Sequence, residues 1–187
     1  EFEDDNLSPE GALNYYINDD TSVYIAYKKA FKSGGIDNSA LPTASINPLS
    51  PTFEGFDALI YDSEEADGFE IGLKSNLMDG NMRLNATYYK YEYTDLQVQL
   101  FDAAIIQFST FNAGAVETEG FEADVLWYTE IPGLTLRGQF AWTDATNTGD
   151  FITPGGENLK GTKRSYSPEI AGSFGLSYDS SLSDGWR

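Results

Sequence analysis

The stretch GFEIGLKSNLMDGNMRLNATYYKYEY, residues 68–93, decides the fold of this chain, because two alternating segments meet in it at Asp79-Gly80. Before the turn, Phe69, Ile71 and Leu73 point to one side of an extended chain and more polar residues point to the other. A similar alternation follows the turn. Since Asp-Gly accepts the positive φ angles of a tight turn, the stretch predicts a hairpin of two antiparallel strands.

Similar alternation along the rest of the chain predicts an all-β protein. Further strand-like runs lie at residues 10–17, 23–28, 121–127, 134–143 and 170–178. Together with the hairpin they give seven predicted strands, and an eighth is expected to start at Trp186. The alternation after the hairpin turn continues through Asp95 to Phe101, which predicts a strand of roughly 65 Å at about 3.4 Å per residue. That length exceeds the usual strand of a globular sheet.

Tight and longer connections alternate along the chain. Tight turns are predicted at residues 18–21, 79–80, 131–133 and 181–185, and longer polar or irregular connections at 33–63, 102–104 and 147–161. In an antiparallel up-and-down meander this alternation places every tight turn at one end of the sheet. The same asymmetry is typical of outer-membrane β-barrels, which have short periplasmic turns and longer external loops.

The composition excludes several classes of function. The chain has 30 acidic and 11 basic residues, a formal charge of −19, which argues against a nucleic-acid partner. It contains no cysteine and no histidine, so disulfides, thiolate nucleophiles and imidazole metal sites are excluded. Because no pattern selects a catalytic pair among the carboxylates, we predict no enzyme, no cofactor and no metal site.

The alternation leaves open which medium the apolar side of the sheet contacts. A lipid-facing wall and the core of a soluble sandwich both produce a period of two residues. The aromatic residues pose a similar choice between interfacial girdles and ordinary cross-strand pairs. The residues concerned are Tyr88, Tyr89, Tyr91, Tyr93, Trp127, Tyr128 and Trp142.

Several short strings resemble those of the TonB-dependent outer-membrane receptors. In chain order they are LSP at 7–9, YIAY at 24–27, FKSGG at 31–35, GFEIGLKS at 68–75, LNATYY at 84–89, YTDLQV at 93–98, NAGA at 112–115 and GFE at 120–122. They follow the C-terminal half of such a receptor. The resemblance implies that the chain supplies about seven to eight strands of a 22-strand transmembrane β-barrel, in which the apolar side faces lipid.

The resemblance also implies a function and a set of partners. Such a receptor lies in the outer membrane of a Gram-negative bacterium and imports a scarce solute, such as a ferric siderophore or another metal chelate, with energy passed through TonB. Its partners are outer-membrane lipid, the remaining barrel strands and a plug domain that contacts TonB. Nothing in residues 1–187 resembles the plug, so we expect the whole chain to be barrel. The alternative is a soluble β-sandwich binding or adhesin-like module, which the acidic charge and self-contained length favour.

The long connection at residues 33–63 holds the candidate ligand-binding residues. They are Phe53, Phe56, Tyr61 and Asp62. A long connection of this kind is typically functional, but a solvated external loop without a ligand contact is the favoured interpretation. The late basic cluster of Lys160, Lys163 and Arg164 is interpreted as a solvated strand entry in preference to an anion site.

Overall fold

The structure is an antiparallel up-and-down sheet with two small strand pairs at one end. The computed structural model describes residues 5–37, 49, 55–102, 107–153 and 155–180. Its strands are β1 (Glu10–Asn18), β2 (Thr21–Lys32), β3 (Gly35–Ile36), β4 (Ile60–Tyr61), β5 (Glu64–Leu77), β6 (Met82–Thr94), β7 (Leu96–Asp102), β8 (Gln107–Ala113), β9 (Val116–Tyr128), β10 (Leu134–Asn147) and β11 (Ile170–Tyr178). One 3-10 helix spans Phe56–Leu59. No helix among the described residues is long and apolar enough to cross a membrane.

The main sheet has seven strands in the order β1-β2-β5-β6-β9-β10-β11, whereas β3 pairs only with β4 and β7 only with β8. The predicted all-β meander is therefore confirmed. Its two edges are β1 and β11, so these strands do not close into a barrel. The turn predicted at 181–185 and the strand start at Trp186 lie outside the described residues.

The hairpin predicted at residues 68–93 lies at the centre of the main sheet. Its strands β5 and β6 pair over the whole stretch and close with Leu77 opposite Met82. Asp79 and Gly80 in the turn have φ angles of 55° and 85°. These are the positive angles that an Asp-Gly pair tolerates in a tight turn, so the sequence prediction of the hairpin is confirmed.

The second strand of this hairpin does not run straight on to Phe101, so that part of the prediction is wrong. β6 ends at Thr94, and Asp95 adopts a left-handed φ of 52°. Aspartate enters this region more readily than most residues, and the bend lets the chain leave the main sheet. It continues as β7 and pairs with β8 from Leu96 opposite Ala113. We call the β7–β8 pair the hairpin arm.

The tight turns that join β1 to β2, β5 to β6 and β9 to β10 lie at one end of the sheet, and the longer connections from β2 to β5 and from β10 to β11 lie at the other, as predicted. The connection predicted at 102–104 instead begins where β7 of the hairpin arm ends, and residues 103–104 lie outside the described part. Main-chain hydrogen bonds join neighbouring tight-turn regions at this end. The N–H of Asn76 donates to the carbonyl of Asp20 and the N–H of Tyr128 to that of Asn81, both at 2.8 Å. We call the two ends the turn end and the loop end.

One face of the main sheet carries apolar side chains across all seven strands. The register places one residue of each strand in a single row: Leu13, Ile25, Ile71, Tyr88, Phe121, Trp142 and Ile170. This apolar face is uncovered, since Leu13, Ile71 and Ile170 are 70%, 49% and 69% exposed. A sandwich needs a second sheet about 10 Å away, and no strand among the described residues supplies one. The described part therefore lacks the second layer that the β-sandwich alternative requires.

The opposite, polar face is braced by tyrosines that lie across three strands. A Cβ at Gly72 of β5 would overlap the ring of Tyr24 from β2, and the Tyr24 hydroxyl is 3.1 Å from Thr87 Oγ1 of β6. The same brace recurs with Tyr89, Gly120 and Thr143, where the two hydroxyls are 3.0 Å apart. Because each ring lies along the sheet, the tyrosines strengthen the wall without standing up from it.

The register divides the aromatic residues between the two faces. Tyr89, Tyr91, Tyr93 and Tyr128 lie on the polar face, whereas Tyr88, Trp127 and Trp142 lie on the apolar face. Only the second group is therefore placed where an interfacial girdle would form.

The packed interior lies mainly at the loop end. The buried apolar side chains of the described part are Ala26, Leu59, Ala113, Val116, Ala145 and Phe151. All except Ala26 belong to the loop-end connections or to the strand ends beside them.

Candidate functional site

Two long connections pack against opposite sides of the hairpin arm at the loop end. On one side, the N–H of Thr110 in the arm donates to Asp37 Oδ2 at 2.7 Å. On the other side, the ring centroid of Phe111 in the arm lies 6.3 Å from that of Phe151, and the N–H groups of Thr148 and Gly149 donate to the carbonyl of Ala115, two residues beyond the arm, at 2.8 and 3.0 Å. The described residues of these two connections therefore hold the hairpin arm between them.

Two amide side chains of the arm fix the connection at residues 33–63. Asn112 accepts a hydrogen bond from the N–H of Asp62 at 2.7 Å and donates to the carbonyls of Asp62 and Asp95 at 2.9 and 2.6 Å. Gln97 Nε2 donates to the carbonyls of Ser33 at 2.9 Å and Asp62 at 3.1 Å. These amides satisfy main-chain groups that no strand pairing would satisfy. The connection is thereby bound to the arm at Ser33 and at Asp62, near its own two ends.

The structure places the four predicted ligand residues in different situations. Phe53 lies outside the described residues, and Phe56 begins the 3-10 helix. Tyr61 lies in β4 with its ring against Gly35, where a Cβ would stand 2.6 Å from the Tyr61 hydroxyl. Asp62 is held by its main chain, and its exposed carboxylate makes no hydrogen bond or ion pair with another described residue. Tyr61 and Asp62 are thus adjacent to the arm, and a ligand role for the four stays a prediction.

A cleft of about 710 Å³ opens between the hairpin arm and residues 147–166. Gln97 and Gln99 line it from the arm, and Arg164 and Tyr166 line it from the opposite side. This volume is within the range of about 300–1,000 Å³ that is usual for small-molecule sites. The cleft could not be predicted from the sequence, because no local pattern shows that residues about 65 positions apart form the two walls of one site.

Asn158 organises the segment that forms the second wall. Its Oδ1 accepts from the N–H of Phe151 at 3.2 Å, and its Nδ2 donates to Asp150 Oδ1 at 3.0 Å. The hydrogen bond from Asn158, with the nearby ammonium of Lys160 at 3.6 Å, lowers the pKa of the Asp150 carboxyl. No group of three or more carboxylates that could hold a metal ion occurs among the residues described by the structure.

The late basic cluster is divided by the structure. Lys163 makes an ion pair with Asp144 at the strand end, as expected of a strand entry. Arg164 points to the polar side instead, and its Nη1 donates to Asn147 Oδ1 at 3.4 Å. No carboxylate of the described part pairs with Arg164, so its remaining donors are available to the cleft.

The polar face also carries isolated cations at the turn end. Arg83 and Arg137 are exposed on β6 and β10 and make no ion pair with a described residue. Towards the middle of the sheet, Glu70 accepts hydrogen bonds from Lys28 at 2.9 Å and from the Tyr91 hydroxyl at 2.6 Å. Neither the two arginines nor the Glu70 cluster includes the nucleophile, general base or open metal site that an enzymatic reaction requires.

Comparison with known proteins identifies the fold. The family model described as TonB dependent receptor-like, beta-barrel matches residues 1–187. The outer-membrane ferripyoverdine receptor of Pseudomonas aeruginosa, bound to ferripyoverdine, has a TM-score of 0.63 and 19% identity over 97% of this chain and 21% of its own. The ferric yersiniabactin uptake receptor of Yersinia pestis gives 0.60 and 17% over 87% of this chain and 21% of its own. The ferric-catecholate import receptor of K12 E. coli gives 0.60 and 22% over 92% of this chain and 22% of its own.

The similarity to the solved receptors covers only part of their length. A search of the curated proteins finds no match. The chain spans about a fifth of the length of the solved receptors named above, with shares of 21% and 22%. The matched family consists of receptors and transporters, not of enzymes. Because its barrel model covers every residue from 1 to 187, the chain belongs to the TonB-dependent receptor family and forms part of the β-barrel.

Proposed function

We propose that this chain is part of the wall of an outer-membrane receptor through which a Gram-negative bacterium imports a scarce solute, such as a ferric siderophore. The observation that carries the proposal is the uncovered apolar face of the seven-stranded sheet in a chain of this family. A contiguous apolar surface of this kind is unfavourable in water, whereas hydrocarbon accommodates it. The solved receptors named above are described as receptors for ferric chelates, which supports iron chelates as the solute class.

The dimensions of the apolar face support its contact with lipid. From Ile170 to Tyr178 the apolar residues of β11 extend over about 27 Å along the strand, at about 3.4 Å per residue. The apolar band of outer-membrane barrels is about 25 Å tall. Beyond Trp142, towards the loop end, the same face becomes charged, with Lys90 paired to Glu117 at 2.8 Å. We therefore assign the loop end to the external side and the turn end to the periplasm.

The same orientation assigns the remaining partners. We propose that further wall strands pair with β1 and β11, because unpaired strand edges in hydrocarbon cost several kcal/mol per group. We further propose that a plug domain coupled to TonB lies against the polar face. The five-fold greater length of the related receptors supports both assignments. Residues 33–63, with Phe53, Phe56, Tyr61 and Asp62, then face the medium and contribute to ligand capture.

Uptake by whole cells tests this function. Cells that express the intact receptor should accumulate ⁵⁵Fe from at least one iron chelate in a saturable way, and deletion of the receptor or of TonB should abolish that uptake. Membrane fractionation gives an independent reading, since the receptor should stay in the outer-membrane fraction after washing at alkaline pH. Uptake that persists without the receptor, or a receptor found in the soluble fraction, contradicts the proposal.

A further inference from the structure

The cleft between the hairpin arm and residues 147–166 has ordered walls. Asn147 is 3% exposed, and its side chain donates to Thr162 Oγ1 at 3.0 Å. Phe151 is 6% exposed, and its ring centroid lies 6.3 Å from that of Phe111 in the arm. These contacts fix both sides of the cleft before any ligand arrives, which lowers the conformational cost of binding.

The charge of the cleft is opposite to that of the chain. Among 187 residues with a formal charge of −19, the described lining of this cleft contains no aspartate or glutamate but includes Lys163 and Arg164. Lys163 is neutralised by Asp144, so Arg164 supplies the cleft with its uncompensated charge. A guanidinium presents five N–H donors in a planar fork, which matches the oxygens of a carboxylate.

Tyr166 stands beside this cation in an unusual conformation. Its φ angle is +62°, a left-handed value that bulky side chains rarely adopt. Its side chain is fully exposed, with a relative exposure of 105%, although it lines the cleft. No burial of the ring therefore offsets the backbone strain. Residues held in sparsely populated backbone conformations cluster at ligand-binding and switch sites.

We propose that this cleft binds an anionic, carboxylate-bearing metal chelate, with Arg164 pairing with a carboxylate and Tyr166 covering the bound molecule. The inference rests on the proposed uptake function and specifies the charge of its solute and the residues that select it. Gln97 Nε2 is already bound to the carbonyls of Ser33 and Asp62, so the arm contributes Val98, Gln99 and Leu100 to the opposite wall. A solute of net positive charge is disfavoured, because the cleft has no carboxylate among its described residues to receive it.

Binding to the intact receptor in detergent tests the proposal, with ferric citrate as the anionic probe and ferrioxamine as the cationic one. Arg164→Gln should weaken ferric citrate binding at least tenfold and should remove most of its dependence on salt concentration. The matched control is Arg137→Gln, which removes an equally unpaired arginine at the turn end and should leave the affinity unchanged. Thermal unfolding of each variant shows whether it is folded.

Tyr166→Gly separates a binding role from a structural one. Glycine adopts the left-handed conformation freely, so this variant should retain its thermal stability while losing at least fivefold in affinity for ferric citrate. A tyrosine with only a structural role would show the reverse, a loss of stability with unchanged binding.

Three results overturn the inference: ferric citrate does not bind, ferrioxamine binds as tightly as ferric citrate, or Arg164→Gln weakens binding no more than Arg137→Gln. Each leaves the proposed function intact if ⁵⁵Fe uptake by whole cells still requires the receptor and TonB. Loss of all receptor-dependent uptake overturns the proposed function instead.

Discussion

Replacing Phe140 with arginine should destabilise the folded receptor in a bilayer by about 4–6 kcal/mol. Phe140 lies in the middle rows of the apolar face, and its side chain is 46% exposed. Of about 200 Å² for a phenylalanine side chain, about 90 Å² would be covered by lipid, which corresponds to about 2 kcal/mol. An arginine near the bilayer midplane adds about 2–4 kcal/mol. Together these free energies lower the stability by an amount that changes the unfolding equilibrium constant by about three to four powers of ten.

The neighbouring residue provides a matched control. Gln139 lies at the same depth on the same strand, but its side chain is on the polar face. Gln139→Arg keeps its guanidinium in water and should cost less than about 1 kcal/mol. Denaturant unfolding of the intact receptor in phosphatidylcholine vesicles measures both free energies. If Phe140→Arg costs no more than Gln139→Arg, the apolar face does not contact lipid and the reasoning is refuted.

Two further predictions concern the tyrosine brace and the loop end. Gly120→Val should cost about 2–4 kcal/mol, because its Cβ would lie 2.5 Å from the Tyr89 hydroxyl and would combine overpacking with a lost hydrogen bond. Gly11→Val, whose Cβ meets no heavy atom within 4 Å, is the control in the same unfolding assay, and equal costs would argue against the brace. The Asp150 carboxyl should titrate below the ordinary aspartate range, because Asn158 donates to its charged form. Its contribution to loop stability is then complete at neutral pH and is lost only as the pH falls below about 4. A ¹³C carboxyl titration checks this, and a midpoint that Asn158→Ala leaves unmoved would contradict it.

The tyrosine braces link neighbouring strands on the polar face through their side chains. Each ring occupies the space above a glycine and ends at a threonine two strands away, so the strands are linked by side chains as well as by the main-chain ladder. A wall built in this way leaves room on the polar side for a domain that fills the barrel. This arrangement agrees with the proposed position of the plug.

The local sequence pattern was sufficient to predict the strands and to show which side chains share a face of the sheet. The hairpin at residues 68–93 follows from a period of two residues and one Asp-Gly turn, both of which are properties of adjacent residues. The separation of turn end and loop end follows in the same way from connection lengths. The strings shared with the TonB-dependent receptors then indicated the family, which the match over residues 1–187 confirms.

Contacts between residues that are distant in the chain could not be predicted from the local sequence pattern. The pattern through Asp95 predicted one long strand, because alternation does not reveal that the left-handed residue redirects β7 to a new partner. The length of the connection at 33–63 predicted ligand residues there, whereas the cleft with Arg164 forms only where the arm meets a segment far along the chain.

The sequence by itself therefore determined which residues are extended, which of their side chains share a face, and to which family they belong. Only the tertiary structure decided that no described layer covers the apolar face, that Tyr24 and Tyr89 each brace three strands, and that Arg164 lines an acid-free cleft. The physical reason is that side-chain alternation is set by neighbouring backbone dihedral angles, whereas register, bending and the meeting of loops depend on hydrogen bonds between segments that are remote in the chain.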